Sequence, residues 1–249
     1  MSMRILDLGD TAFTVEFGEA IDPALQARVN ALDVAITRAV AGGALAGVIE
    51  TVPTFRSLTV IYDPLQTRRA TLEAALAGLI EAADHAPAGG GRHWRLPACY
   101  GGAFGPDLAE VAAATGLDAE AVIAAHSATE YVVYMLGFLP GFPFMGDLPA
   151  ALQLPRRSEP RVRVPGGSIA IANGLTAIYP WESPGGWHLL GRCPVPLFDA
   201  TRTAPALLAA GDRVRFTPVS AEAFGHLQAE LAAGRCDPQQ WCSPAAEDA

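Results

Sequence analysis

Over residues 1–85 the apolar positions switch between strand and helix periods. Arg4–Leu8 and Ala12–Phe17 read as short strands around the turn pair Gly9-Asp10. Asp22-Pro23 opens a helix, with Asp as the capping side chain and Pro in the first turn, where a missing N–H breaks no bond. Leu25, Val29, Leu32 and Ile36 recur on one stripe, and Gly42-Gly43 stops it. Val48–Val52 and Ser57–Tyr62 read as two further strands. Thr67–Ala83 reads as a second helix, with Leu72, Leu76, Leu79 and Ile80 along one side. The order ββαββα predicts an α+β domain, an antiparallel sheet with its helices on one face. Ala86-Pro87-Ala88-Gly89-Gly90-Gly91 has neither period nor bulk, so residues 86–92 read as a linker.

Beyond it, Pro106–Thr115 and the segment capped by Asp118 that runs to about Ala125 read as short helices. From Tyr131 the pattern is mostly β. Tyr131–Leu136 is an apolar strand, and Ser168–Ala172 and Leu175–Tyr179 flank Asn173-Gly174, the strongest short hairpin signal. Trp187–Gly191 and Asp212–Thr217 read as further strands. Ser220 caps a last helix that places Phe224, Leu227 and Leu231 inward and ends at Gly234. Many short strands between Gly/Pro turns predict a closed or nearly closed barrel with short helices over residues 93–234, followed by a frayed tail at 235–249.

Charge and composition narrow the chemistry. The chain has 249 residues and a formal net charge of -9, which disfavours nucleic acid and anionic membrane surfaces. All 17 basic residues are Arg. Without Lys there is no Schiff base, no Lys general base and no GxxxxGK[ST] phosphate loop, so a bound anion falls to Arg forks, backbone N–H groups or a partner. No apolar run reaches membrane-spanning length, and the first ten residues carry no leader-like apolar stretch. Cys99, Cys193, Cys236 and Cys242 show no CxxC spacing, which fits free thiols in a reducing cytoplasm. No HxxxH or HExxH pattern marks a metal site, and no GxGxxG opens a helix for a dinucleotide.

Four segments stand out. Gly137-Phe138-Leu139-Pro140-Gly141-Phe142-Pro143-Phe144-Met145-Gly146 is stiff and aromatic, and reads as the wall of a pocket or subunit interface, or as a long structural connection. Arg156-Arg157-Ser158-Glu159-Pro160-Arg161-Val162-Arg163 packs four Arg into eight residues, either to grip an anion or to pair with surplus acids. Within it Arg161 and Arg163 lie at strand period, on one face. Pro165-Gly166-Gly167-Ser168 is an anion-binding nest or a tight turn. Tyr179-Pro180-Trp181-Glu182-Ser183-Pro184-Gly185-Gly186-Trp187-His188 is a second stiff aromatic loop. In it Glu182 and His188 are candidate proton handlers, although a lone His is commonly structural. Arg157, Arg161, Arg163, Gly166, Gly167 and Ser168 are thus the candidate anion-binding set. Cys193 before Pro194 reads as a buried structural thiol.

In order along the chain, these pieces resemble one family. Tyr100-Gly101-Gly102-Ala103-Phe104-Gly105-Pro106-Asp107-Leu108 looks like its YGG-x-FGPDL opening, and His126 and Tyr131 fit its H…Y spacing. Gly137-Phe138 with Pro140-Gly141-Phe142-Pro143 is similar to its GF-x-PGFP signature. Pro155-Arg156, Pro160-Arg161, Val164-Pro165 and Gly167-Ser168 match PR…PR…VPxGS. Ile178-Tyr179-Pro180, Ser183-Pro184-Gly185-Gly186-Trp187 and Gly191-Arg192 match IYP…SPGGW…GR. Leu197-Phe198-Asp199 and Gly211-Asp212 through Phe216 close the pattern. The family is that of the 5-oxoprolinase B subunit, also called allophanate hydrolase subunit 1 or KipI. The match is strong over roughly residues 95–217 and rests on element order before that.

The resemblance implies an α+β N-terminal domain followed by a mostly β, cyclophilin-like barrel without isomerase activity. It implies a homologous partner, the C subunit, of the allophanate hydrolase subunit 2 type. The two would form a pair similar to the carboxyltransferase part of urea carboxylase. Joined by the A subunit, the assembly would open 5-oxoproline to glutamate at the expense of ATP, in the cytoplasm, and this chain would be inactive alone. Phe138, Pro140, Gly141, Phe142, Pro143, Phe144, Tyr179, Pro180, Trp187 and Arg192 are expected to form pocket or interface walls. Other roles in view are a KipI-like inhibitor of a sensor histidine kinase and a carboxyltransferase-type subunit for urea- or allophanate-like amides. Without Lys, amidase chemistry of the Ser-Ser-Lys kind is closed to this chain alone. Three stretches depart from the family pattern: Gly166-Gly167-Ser168 in place of AGS, Leu175-Thr176-Ala177-Ile178-Tyr179-Pro180 in place of QTGIYP, with Leu175 replacing a polar Gln, and Gly191-Arg192-Cys193-Pro194 in place of GRTP.

Overall fold

The computed structural model describes residues 3–85 and 91–243. The chain divides into two compact units, Met1–Gly89 and Gly90–Ala249. Of the expected linker, residues 86–90 lie outside the described residues.

The first unit is built from β1 (Arg4–Asp7), β2 (Ala12–Glu16), α1 (Pro23–Ala41), β3 (Val48–Pro53), β4 (Ser57–Tyr62) and α2 (Arg69–Asp84). The strands form one antiparallel sheet in the order β1-β2-β4-β3. Burial alternates along β4, so Leu58, Val60 and Tyr62 share one face. Against them pack Val29, Leu32 and Ile36 of α1 and Leu72, Leu76 and Ile80 of α2. The Asp22 carboxylate caps α1 by accepting from the Ala24 N–H at 2.7 Å. The second helix starts at Arg69 rather than Thr67, and its capping position, Arg68, supplies no side-chain bond.

The second unit contains β5 (His93–Tyr100), α3 (Leu108–Thr115), α4 (Ala119–Ala128), β6 (Tyr131–Leu136), β7 (Pro143–Gly146), β8 (Arg161–Val164), β9 (Ser168–Ala172), β10 (Leu175–Ile178), β11 (Ser183–Gly185), β12 (His188–Arg192), β13 (Arg213–Pro218), α5 (Ala221–Ala232) and β14 (Cys242–Ser243). Seven strands run β12-β9-β10-β7-β6-β13-β5, and β12 pairs again with β5, which closes the barrel. Closure pairs the two end strands of the barrel with each other. Its interior is filled by Trp94, Leu96, Tyr131, Val133, Met145, Ile169, Ile171, Ile178, Leu190, Val214 and Phe216. A two-stranded ribbon of β8 and β11 stands apart from the barrel sheet.

The β9–β10 hairpin turns on Asn173 and Gly174, with φ of 50° and 80°. Both central residues are left-handed, as a tight turn matched to strand twist requires. The strand at 93–100 is not evident from sequence. Its parallel partner, β13, lies far along the chain, and Pro97 argues against a central strand. On its other side β5 pairs with β14 at Trp94 and with β12 from Cys99. Pro97 falls in the gap between those partners, where a residue without an N–H is tolerated.

The expected frayed tail is corrected for residues 235–243. Asp237 caps a short 3-10 turn, Pro238–Trp241, by accepting from the Gln239 N–H at 2.9 Å. Trp241 and Cys242 pack on the barrel core, and that apolar contact holds the segment in place. Residues 244–249 lie outside the described residues. Among the described residues no helix is long and apolar enough to cross a membrane.

Candidate functional site

Two loops that are distant in sequence meet on the barrel wall. The connection from β6 to β7 carries Phe138 and Phe142, β7 carries Phe144, and the segment after β10 carries Tyr179 and, further on, Trp187. These five rings, with Arg156, Arg157, Pro160, Pro184, Gly185 and Gly186, line a cleft of about 330 Å³. Phe142 is its keystone. Its ring is buried and stands edge-on to Tyr179 at 5.1 Å, to Phe138 at 5.4 Å and to Trp187 at 6.3 Å. Edge-to-face contacts of this kind fix ring orientation as well as burying area. Gly185 makes room for the Tyr179 hydroxyl, because a Cβ there would sit 2.3 Å from it.

Phe138 departs from ordinary backbone and burial together. It has φ of 68°, a left-handed conformation that disfavours a side chain, and its residue surface is 65% exposed. An exposed ring held in a strained backbone at the edge of a cleft is the pattern of a ligand or partner contact. Burial raises the Tyr179 hydroxyl above the ordinary phenol value, partly opposed by the charges of Arg156 and Arg161. It remains a neutral donor.

The arginine run divides unevenly. Asp107 is buried, and its carboxylate accepts from Arg157 Nη1 at 3.2 Å, from Arg161 Nη2, and from the Leu189 N–H at 2.7 Å. Glu110 takes a second bond from Arg157 Nη1 at 2.8 Å, which is the main reason the Arg157 pKa is raised. Arg163 lies at the surface in a two-pronged pair with Glu182, at 2.9 and 3.0 Å. Arg161 and Arg163 are therefore corrected as a shared-face anion pair. The register of β8 against β11 shifts between Ser183 and Gly185, which breaks the two-residue alternation and sends the two side chains to different acids.

Other expectations are corrected in the same way. Glu182 is spent on Arg163 outside the cleft. His188 Nε2 donates to the Pro155 carbonyl at 3.0 Å, so its ring holds the 153–157 segment rather than facing the cleft. The Gly166–Ser168 turn is no nest: the Gly167 N–H donates to the Tyr179 carbonyl at 2.6 Å and the Ser168 N–H to the Pro165 carbonyl at 3.2 Å. Gly166, Gly167, Pro180 and Arg192 line a second, smaller depression of about 180 Å³, where Arg192 Nη2 donates to the Gly166 carbonyl at 2.7 Å. Pro140 is exposed, Gly141 is buried against Leu197 and Phe198, and Pro143 is the buried first residue of β7. These three shape the loop without lining the cleft.

With that geometry in place the comparisons with known proteins are decisive. Residues 3–208 match the family described as carboxyltransferase domain, subdomain C and D. The chain belongs to this family. It is 41% identical over 231 residues to the 5-oxoprolinase B subunit of Bacillus subtilis (strain 168), covering 87% of this chain and 93% of that protein. The crystal structure of TTHA0988 superposes with a TM-score of 0.74 at 40% identity, covering 84% of this chain and 40% of that one, so this chain spans well under half of that protein. Urea amidolyase of K. lactis shares the fold, with a TM-score of 0.73 at 20% identity over 92% of this chain and 15% of its own.

Within this carboxyltransferase family chain, two site residues lie outside the candidate set drawn from the sequence. Asp107 reads there as part of a helix start, yet makes no cap bond and instead gathers two arginines and β12. Arg156 stands beside the residues singled out and lines the cleft with no carboxylate partner among the described residues. The four-Arg run in an acidic chain was the available signal for Arg156. Leu175, where the family pattern has Gln, packs onto the aromatic cluster with Leu139 and Phe144. Among the described residues, buried side-chain atoms without a hydrogen-bond partner are Arg157 Nε, Arg161 Nη1, Ser168 Oγ, His188 Nδ1 and Arg192 Nε. Of these residues Arg157 lines the cleft and Arg192 its neighbouring depression, where unmet bonding capacity points to function.

The remaining buried polar groups are closed structures. His126 is fully buried, with Nδ1 2.8 Å from the Tyr100 hydroxyl and Nε2 3.0 Å from the Thr176 hydroxyl, which donates to the Ala170 carbonyl. Burial pushes its pKa down to about 3. Burial also pushes the Cys193 thiol up to about 12, which keeps it inert. Among the described residues no three His, Cys, Asp or Glu side chains gather to hold a metal ion.

Proposed function

We propose that this chain is the B subunit of an ATP-dependent 5-oxoprolinase, which adds one water across the lactam C–N bond of 5-oxoproline to give glutamate while a second water converts ATP to ADP and phosphate. It works only together with the A and the homologous C subunits. The observation that carries this reading is the cleft. Five rings and an arginine rim enclose about 330 Å³, room for a small flat lactam, in a chain that is 41% identical to a 5-oxoprolinase B subunit. Its residues bind and orient: the rings sandwich the planar amide and exclude water, and the rim meets the carboxylate.

The described residues do not suit the triphosphate of ATP. The Gly167 and Ser168 N–H groups are taken by backbone carbonyls, and Arg157 and Arg161 by Asp107 and Glu110. With Glu182 and His188 also committed, we assign ATP and the proton-transferring groups to the partner subunits. All four cysteines are free thiols, which suits a reducing cytoplasm. Mixing the purified components tests the reading. ATP hydrolysis that depends on 5-oxoproline is expected only when this chain is mixed with both the A and the C subunits. Turnover by this chain alone, or no lactam-dependent hydrolysis in the full mixture, contradicts it.

A further inference from the structure

Three of the four guanidiniums between 156 and 163 are neutralised in place: Arg157 by Asp107 and Glu110, Arg161 by Asp107, and Arg163 by Glu182. Arg156 is exposed, lines the cleft with Tyr179 and Trp187, and has no carboxylate partner among the described residues. Its backbone is pinned on both sides. His188 Nε2 donates to the carbonyl of Pro155 at 3.0 Å, and the Arg157 N–H donates to the carbonyl of Gly186 at 2.8 Å. A side chain that leaves from a fixed peptide loses less freedom when it binds. The planar fork of Arg matches both oxygens of a carboxylate, and aromatic walls beside it match a flat ring.

We propose that Arg156 is the specificity-determining residue of the cleft: it takes the carboxylate of a small ring acid, and the site thereby selects the anionic ring over the neutral ring of the same size. Asp107 and Glu110 serve this selection by neutralising the neighbouring Arg157 and Arg161, and His188 is a positioning residue. That the ring is a lactam rests on the function proposed above; the preference for a carboxylate does not. The charge of Arg156 already reaches the cleft wall, where it opposes the burial-driven rise of the Tyr179 hydroxyl.

Calorimetric titration of the full chain tests this with three probes: 5-oxoproline, 2-pyrrolidinone (the same lactam without its carboxylate) and pyrrole-2-carboxylate (a ring acid without the lactam). Both acids are expected to bind wild type at least about tenfold more tightly than 2-pyrrolidinone. Arg156→Gln is expected to weaken both acids by roughly ten- to hundredfold, the loss of one charge-assisted pair, and to leave 2-pyrrolidinone unchanged. Arg163→Gln, a surface pair outside the cleft, is expected to change none of them. Acids that bind Arg156→Gln as they bind wild type overturn the assignment, and so does wild type that binds neither acid. If pyrrole-2-carboxylate depends on Arg156 while 5-oxoproline binds no better than 2-pyrrolidinone, the carboxylate role stands and the lactam reading falls.

Discussion

The Tyr100–His126–Thr176 chain and the Arg156–Tyr179–Trp187 cleft draw on the same stock of rings and polar groups. In the first, each hydrogen-bonding atom of the imidazole has a partner, and the ring stacks on Phe216 at 4.9 Å with no opening to solvent. In the second, the rings leave a cavity, and among the described residues one guanidinium has no acid and buried polar atoms nearby lack partners. The lesson is that residue type does not mark a site. A histidine whose bonds are all spent is architecture, whereas an arginine left over at the edge of an apolar cleft is available chemistry.

The largest way to break this contrast is Asp107→Ala. It strands the Arg161 guanidinium and a β12 N–H, leaves Arg157 with Glu110 alone, and is expected to cost about 3–5 kcal/mol, the usual penalty for removing one partner of a buried ion pair. Chemical denaturation reads it as a lower midpoint. A loss under about 1 kcal/mol would mean that Asp107 does not hold the rim together.

His126 gives a smaller, pH-dependent effect. Its folded pKa of about 3 lies below its ordinary value of 6.5, so the unfolded chain binds the extra proton first. Its contribution is whole above pH 6.5 and is lost as pH falls from there towards 3. At pH 5 the loss is about 2 kcal/mol, at about 1.4 kcal/mol per pH unit. Denaturation midpoints taken from pH 7 to pH 5 should fall more steeply in wild type than in His126→Gln. Parallel slopes would show that the imidazole is solvated.

How far the sequence reveals this depends on the range of the interaction. The Asn173-Gly174 hairpin and the Asp22-Pro23 cap are local, and both are legible because the turn or cap residue sits beside the element it shapes. The aromatic cleft is half legible: both loops stand out by composition, but their meeting requires the long-range pairing of β10 with β7. Asp107 is illegible, since nothing near it points to Arg157 and Arg161 some fifty residues on. Arg161 and Arg163 mislead because the two-residue period fails where the β8–β11 register shifts.

The smallest expected effect sharpens the contrast most finely. Phe138→Gly relieves a left-handed backbone and is expected to stabilise the chain by about 1 kcal/mol in thermal unfolding, after allowing for glycine's freer unfolded state. The same variant should bind ring acids more weakly, because one cleft wall is gone. Unchanged stability together with unchanged binding would remove Phe138 from the site.

The most direct measurement is a crystal structure of the chain grown with 5-oxoproline. The ring is predicted to lie among Phe142, Tyr179 and Trp187, with its carboxylate on the Arg156 guanidinium. A fully occupied ligand elsewhere on the barrel, with Arg156 still facing solvent, would contradict the account.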